Sequence, residues 1–217
     1  MNDDHPMNRM PLKVSSDPIV FIVDDDAGLR DALSSLLRSE GLRVETFPSV
    51  AAFAEFQRPE APSCLVLDVR LQGTSGLDFQ NELARSNVNL PIVFMTGHGD
   101  IAMTVRAMKA GAVDFLAKPF REEDLLNAVN TALAKDKSGR QAHKNFNELR
   151  SRFETLTPRE KEIMALAASG LMNKQIAAEI GLSEITVKIH RGHAMKKMCA
   201  RSFAELVRMA EALELGK

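Results

Sequence analysis

Through the first 135 residues, short apolar runs alternate with amphipathic stretches, and this alternation narrows the fold more than any other feature. The runs are I-V-F-I-V at 19–23, residues 42–46, C-L-V-L at 64–67, P-I-V-F-M at 91–95 and residues 113–117. Each has the length of a strand, and the continuous apolar runs suit strands buried on both faces. Between them lie segments of helical spacing near 27–40, 49–57, 76–86 and 100–110, and another begins at 121. Five β–α units within about 120 residues predict an α/β domain, a five-stranded parallel sheet doubly wound with helices on both faces. In such sheets functional groups collect at the carboxyl ends of the strands.

Those ends carry unusual residues. The third run stops at Asp68, and the first stops at Asp24, Asp25 and Asp26. The fourth ends in Met95-Thr96-Gly97 and the fifth is followed by Lys118-Pro119-Phe120, an X-Pro bond that is a candidate for cis. With strands one and three as neighbours, carboxylates meet. Two of them about 5 Å apart repel by roughly 3 kcal/mol at an effective dielectric near 20. A hard divalent cation removes that repulsion, and an all-oxygen site favours Mg²⁺. Acids, a hydroxyl and an ammonium at four strand ends can hold a phosphoryl group. Asp68 is then the nucleophile and forms an acyl phosphate. Asp24, Asp25 and Asp68 hold Mg²⁺, with the backbone carbonyl of Arg70 as a further ligand, and Thr96 and Lys118 bind phosphate oxygens. An acidic triplet alone most often caps the following helix, so it is the four ends together that point to phosphate. Only Gly28 follows the first run, which disfavours a glycine-rich dinucleotide loop.

The chain is 45% apolar and 26% charged, as ordinary globular proteins are. It has no apolar run of membrane-spanning length and no apolar leader, so the expectation is a cytoplasmic protein without a membrane partner. Cys64 and Cys199 fall inside apparent elements and read as buried, reduced thiols. The net charge of −1 hides a division. Residues 1–136 hold 13 Lys+Arg against 20 Asp+Glu, and residues 137–217 hold 15 against 9, giving −7 and +6. Two domains with different partners follow, the basic one a candidate for nucleic acid.

The expected organisation is a flexible tail over 1–17, the α/β domain over 18–135, an exposed helical linker over 136–153 that Ser138-Gly139 is placed to break, and an all-α domain of four short helices over 154–217. Thr157-Pro158-Arg159-Glu160 combines a capping box with Pro at the first helical position. Ser183 can cap the third helix, and Ser202 to Glu205 reads as a second box. Ala177 and Ala178 are small enough for helices to cross closely and Gly181 permits a tight turn, a helix-turn-helix pattern whose second helix enters the major groove. In that helix Val187, Ala194 and Met198 face the core. Lys188, Gly192 and Met195 share another face, flanked by Arg191 and Lys196, suited to phosphates and base edges. The candidate interface comprises Asn173, Lys174, Ser183, Thr186, Lys188, Ile189, His190, Arg191, Gly192 and Lys196. His190 and His193 suit phosphate contact or helix packing better than zinc, and Met95, Met103 and Met108 read as core fillers.

The motifs V-D-D at 23–25, L-D at 67–68, T-G at 96–97, K-P-F at 118–120 and M-K-A-G-A-V-D-F at 108–115 resemble the receiver domains of two-component response regulators over about residues 18–135. I-V-F-M-T-G-H-G-D at 92–100 is especially like the FixJ branch. T-P-R-E-K-E-I at 157–163, G-L-M-N-K-Q-I-A at 170–177 and T-V-K-I-H at 186–190 resemble LuxR-type output domains over about 155–213. The resemblance implies a transcription regulator of the FixJ/NarL type, phosphorylated on Asp68 by a sensor histidine kinase. It further implies a switch pair of Thr96 and Phe115, where relatives often carry Tyr in place of Phe115. Homodimerisation through the fourth helix, fifth strand and fifth helix follows from it, with Arg106, Lys109, Asp114 and Glu122 available for cross-dimer pairs. So do promoter DNA and RNA polymerase as partners, and base contacts at Lys188, Ile189 and Gly192, the last a departure from the basic residue common there. Such a protein is not a turnover enzyme, although it loses its own phosphate slowly. Two alternatives stand beside this reading. A phosphatase or phosphotransferase of the haloacid-dehalogenase kind would carry D-x-D after strand one and a cap domain. A DNA-binding protein whose receiver takes no phosphate would not need the intact residue set.

Overall fold

The computed structural model describes residues 17–71, 74–86, 88–97 and 101–215. Apart from Asp17, the tail expected over 1–17 lies outside the described residues, as do positions 98–100 of the FixJ-like stretch and the last two residues of the chain.

Strands β1 (Ile19–Val23), β2 (Arg43–Phe47) and β3 (Ser63–Asp68) are followed by a two-residue antiparallel pair, β4 (Arg70–Leu71) and β5 (Thr74–Ser75), then by β6 (Ile92–Thr96) and β7 (Asp114–Ala117). The five longer strands form one parallel sheet in the order β2-β1-β3-β6-β7, so the central strand is the one that ends in Asp68. The small β4–β5 pair was not expected from the sequence.

Alternation along the strands divides the interior. Phe21, Val23, Leu65, Leu67 and Phe94 face α2 (Val50–Ala54), α3 (Gly76–Arg85) and α4 (Ile101–Lys109). Val20, Ile22, Cys64, Val66 and Val93 face α1 (Ala27–Ser39) and α5 (Glu122–Glu154). Both faces of β1, β3 and β6 are therefore dry, which is why their sequences are continuous apolar runs. Asp26, Ser49 and Ser75 cap α1, α2 and α3 by accepting backbone N–H groups.

The chain divides into two compact units at Arg140 and Gln141. Helix α5 runs unbroken through Ser138-Gly139, contrary to the expected break. Gly139 is exposed, and one such glycine costs a helix only about 1 kcal/mol, which does not outweigh the turns on either side. Before that point, buried Asp136 accepts a hydrogen bond of 2.8 Å from the Ser63 N–H at the start of β3 and pairs with Arg140. The basic unit folds as α6 (Pro158–Ala168), α7 (Asn173–Ile180), α8 (Glu184–Met198) and α9 (Phe203–Ala212). Its interior is built on Met164, Ala194, Met198 and Leu206, and on Ile163, Ile176 and Val187, with Leu149 and Phe153 packed against the first group.

Several expectations need correction. Cys64 is buried, but Cys199 is exposed in a left-handed conformation at the end of α8. Met95 is buried and Met103 packs on the core, whereas Met108 is 43% exposed on α4. Ala177 is buried and Ala178 is not. Met195 packs against the interior instead of joining the free face of α8. At Ser202 the hydroxyl caps α9, but the Glu205 carboxylate takes the N–H of Arg201, so the second box closes only on one side. No helix among the described residues is long and apolar enough to cross a membrane.

Candidate functional site

The register of β1 with β3 pairs Val23 with Leu67, which brings the residues just beyond them to one edge. There, Asp24, Asp25 and Asp68 each offer a carboxylate oxygen, all within 4.8 Å of one another. Asp24 and Asp68 are buried and Asp25 is exposed. The third acid of the triplet serves the helix instead. Asp26 caps α1 through the Leu29 N–H, while its own N–H donates to Asp24 Oδ1.

Lys118 enters this cluster from just beyond β7, and the peptide bond that follows it, to Pro119, is cis. Its ammonium donates to Asp24 Oδ2 at 2.7 Å and to Asp68 Oδ2 at 2.6 Å. The other oxygen of Asp68 accepts the Arg70 N–H at 2.9 Å. Burial pushes the Asp24 carboxyl above its ordinary value and Asp68 adds repulsion, although Lys118 and the Asp26 N–H pull the other way. Burial pulls the Lys118 ammonium down, but its hydrogen bonds to Asp24 and Asp68 outweigh this and its pKa is raised. Three carboxylates against one ammonium leave two negative charges in a largely buried place. A divalent cation on oxygen ligands balances them, so the donor set fits Mg²⁺.

Thr96 is fully buried at the end of β6, and its carbonyl accepts the Lys118 N–H at 2.7 Å. Phe115 is half-buried on β7, with its ring centroid 6.3 Å from that of Phe94. Two participants escaped sequence reasoning. Arg30 donates to the Asp24 carbonyl at 2.7 Å. Gly76 opens α3 so close to β3 that a Cβ there would lie 2.6 Å from the Asp68 carbonyl oxygen. The sequence signal for it was the T-S-G that follows the third run.

In the basic unit, Gly181 adopts a left-handed conformation between α7 and α8, as a tight turn requires. Val187, Ala194 and Met198 are fully buried, as expected. Lys174, Lys188, Ile189, Gly192 and Lys196 are exposed and His190 is half-buried. Ser183 caps α8, and its hydroxyl meets that of Thr186. Arg191 is held within the domain: it donates to Asn173 Oδ1 at 2.9 Å and its guanidinium lies 4.8 Å from the ring centroid of Phe203. Asn173 and Arg191 thus brace α7, α8 and α9 together. Buried Glu160 joins α6 to α8 through Lys197 at 2.7 Å and completes the capping box with Thr157.

Comparison with known proteins places both units. The family described as response regulator receiver domain matches residues 20–130, and the luxR family of bacterial regulatory proteins matches residues 154–210. Nodulation protein W of Bradyrhizobium diazoefficiens is 58% identical over 94% of this chain and 90% of its own length. The response regulator protein TmoT of Ectopseudomonas mendocina is 47% identical over 90% of this chain and 89% of its own. Among solved structures, the response regulator StyR is similar with a TM-score of 0.79 at 50% identity, covering 90% of this chain and 98% of that one. Full-length FixJ from B. japonicum follows at 0.55 and 35%, covering 93% and 99%. A receiver sheet with an acidic edge, joined to a helix-turn-helix unit and matched along nearly its whole length by such relatives, makes this chain a member of the response regulators, a phosphorylation-regulated transcription regulator with a LuxR-type output domain.

Proposed function

We propose that Asp68 accepts a phosphoryl group from the phosphohistidine of a sensor kinase and that this acts on promoter DNA through α8. A carboxylate oxygen of Asp68 forms the O–P bond while the P–N bond breaks, its electron pair passing to the imidazole nitrogen. Mg²⁺ held by Asp24, Asp25, Asp68 and the Arg70 carbonyl would supply charge neutralisation for the phosphoryl oxygens. Formation of the acyl phosphate removes the negative charge that Lys118 now meets on Asp68, so its ammonium follows the charge onto a phosphoryl oxygen. The Thr96 hydroxyl takes another, and the Phe115 ring moves inward behind it. The rearranged face of α4, β7 and α5 then pairs with a second copy of the chain. Residues 18–135 serve as receiver, 136–153 as linker and 154–217 as output domain. The DNA contacts come from Lys174, Lys188, Ile189, His190, Gly192 and Lys196, with Ser183 and Thr186 at the helix start and Asn173 and Arg191 as supports. The protein works in the cytoplasm, meets RNA polymerase at the promoter, and loses its phosphate slowly.

The observation that carries this reading is the ammonium of Lys118 shared by Asp24 and Asp68 beside Asp25. The test is labelling with acetyl phosphate. Wild type should be labelled only with Mg²⁺ present, Asp68→Asn should not be labelled, and Asp25→Ala should need more Mg²⁺. Full labelling of Asp68→Asn would show that the acceptor is another residue.

A further inference from the structure

Helix α8 carries a ridge whose chemistry the basic face does not explain. Val187, Ala194 and Met198 mark its inward side. At about 100° per residue the opposite side holds Ile185, Ile189, Gly192 and Lys196. Ile185 is 74% exposed and Ile189 is 52% exposed. Single exposed aliphatic residues are ordinary. These two stand at i and i+4, adjacent on the helix surface, and neither belongs to the apolar clusters of the domain. Exposed Lys188 and Lys196 border them, in the half of the chain that carries +6. A Cβ at Gly192 would meet nothing within 4 Å, so packing within the chain does not demand glycine there and the backbone beside the pair is bare.

An apolar ridge edged by ammonium groups suits a surface that is anionic at its rims and locally apolar at its floor. The major groove of B-DNA has that character: phosphates line it, and the one apolar group on its base edges is the C5-methyl of thymine. We propose that Ile185 and Ile189 read thymine methyl groups in the operator, with Ile185 a specificity-determining residue alongside Lys188. Four residues of helix rise by about 6 Å, close to two base-pair steps of about 3.4 Å, so the two methyls lie about two steps apart. The proposal rests on α8 being the helix that enters the groove and adds what that helix reads there.

The experiment uses the full-length phosphorylated protein to select a duplex from a random-sequence pool. Each thymine of the selected duplex is then replaced singly by uracil, which removes the C5-methyl alone. Uracil should lower affinity about three- to fivefold at one or two positions in each half-site, the effect of losing one buried methyl-sized group. Ile185→Ala should lose the sensitivity at one of these positions and Ile189→Ala at the other. Ile185→Val should keep it. The salt dependence should stay the same in all three, since no phosphate contact is removed. Both sites are exposed and alanine is the stronger helix former, so the variants keep their fold. Uracil duplexes that all bind like the parent, or alanine variants that keep the full uracil penalty, would overturn the inference and leave DNA binding intact. Failure to enrich any sequence would overturn both.

Discussion

Nζ of Lys118 lies 2.6 Å from Oδ2 of Asp68, although fifty positions separate the two residues in the chain. The same ammonium reaches Asp24, and it is the positive charge the structure places between these two buried acids. Lys118→Met should therefore leave them mutually repelling and lower receiver stability by about 1–3 kcal/mol in chelator. Excess Mg²⁺ should restore more stability to this variant than it adds to wild type. Urea unfolding with and without Mg²⁺ measures both increments, and equal increments would argue against a cation site in the cluster.

Gly76 is needed for space. A Cβ there would stand 2.6 Å from the Asp68 carbonyl oxygen and 3.2 Å from the Val69 Cα, and backbone cannot yield as a side chain can. Gly76→Ala should destabilise the receiver by about 1–3 kcal/mol, the usual cost of overpacking. It should also slow labelling by acetyl phosphate, because the strand that must yield carries Asp68, the proposed acceptor.

On α4, Ile101, Val105 and Met108 are 83%, 44% and 43% exposed, spaced to form one apolar stripe. Covering that stripe would give the proposed phosphorylation-dependent dimer an energetic source. Ile101→Glu should place a charge in the contact and weaken the phosphorylated dimer about tenfold or more, with phosphorylation itself unaffected. Sedimentation of labelled wild type and variant distinguishes the two.

Glu160 provides a test of pH dependence in the output domain. Burial raises its carboxyl, but Lys197 and Thr157 outweigh this and hold it below the ordinary value of 4.5. A carboxyl depressed on folding stabilises the fold above its unfolded value, and that stability is lost as pH falls through the folded one. Unfolding of the output domain should thus become easier as pH drops below about 4.5. Glu160→Gln should flatten that dependence and cost about 1–2 kcal/mol at neutral pH.

The receiver site was legible because its signals are violations of local rules. Asp24 and Asp68 end apolar strands, where an acid is costly without a partner, and Lys118 supplies one from a third strand end. Gly76 was legible only as part of a turn-like T-S-G, since its role depends on a backbone approach that the turn residues do not specify. On α4, apolar residues occur on several sides of the helix, so pattern alone could not separate buried Ala107 from exposed Met108. On α8, Met195 was grouped with Lys188 and Gly192, but it packs inward and the outermost line runs through Ile185 and Ile189. The sequence placed Arg191 on the basic side of α8, but its hydrogen bond to Asn173 and its place against the Phe203 ring depend on tertiary packing that the pattern does not carry.

Strand β3 is bound at both of its ends. Its last residue is Asp68, fixed by Lys118 and the Arg70 N–H, and its first is Ser63, whose N–H is held by Asp136 of α5. Because side chains alternate along a strand, removing or adding one residue would turn half of it to the wrong face and pull one end from its partner. This six-residue segment should accept many aliphatic exchanges at Cys64 to Leu67 yet no insertion or deletion. Changes of length beside β3 should thus be tolerated only in its flanking loops, and the spacing between the Asp68 carboxylate and the Asp136 end of the strand is fixed by the count of residues between Ser63 and Asp68.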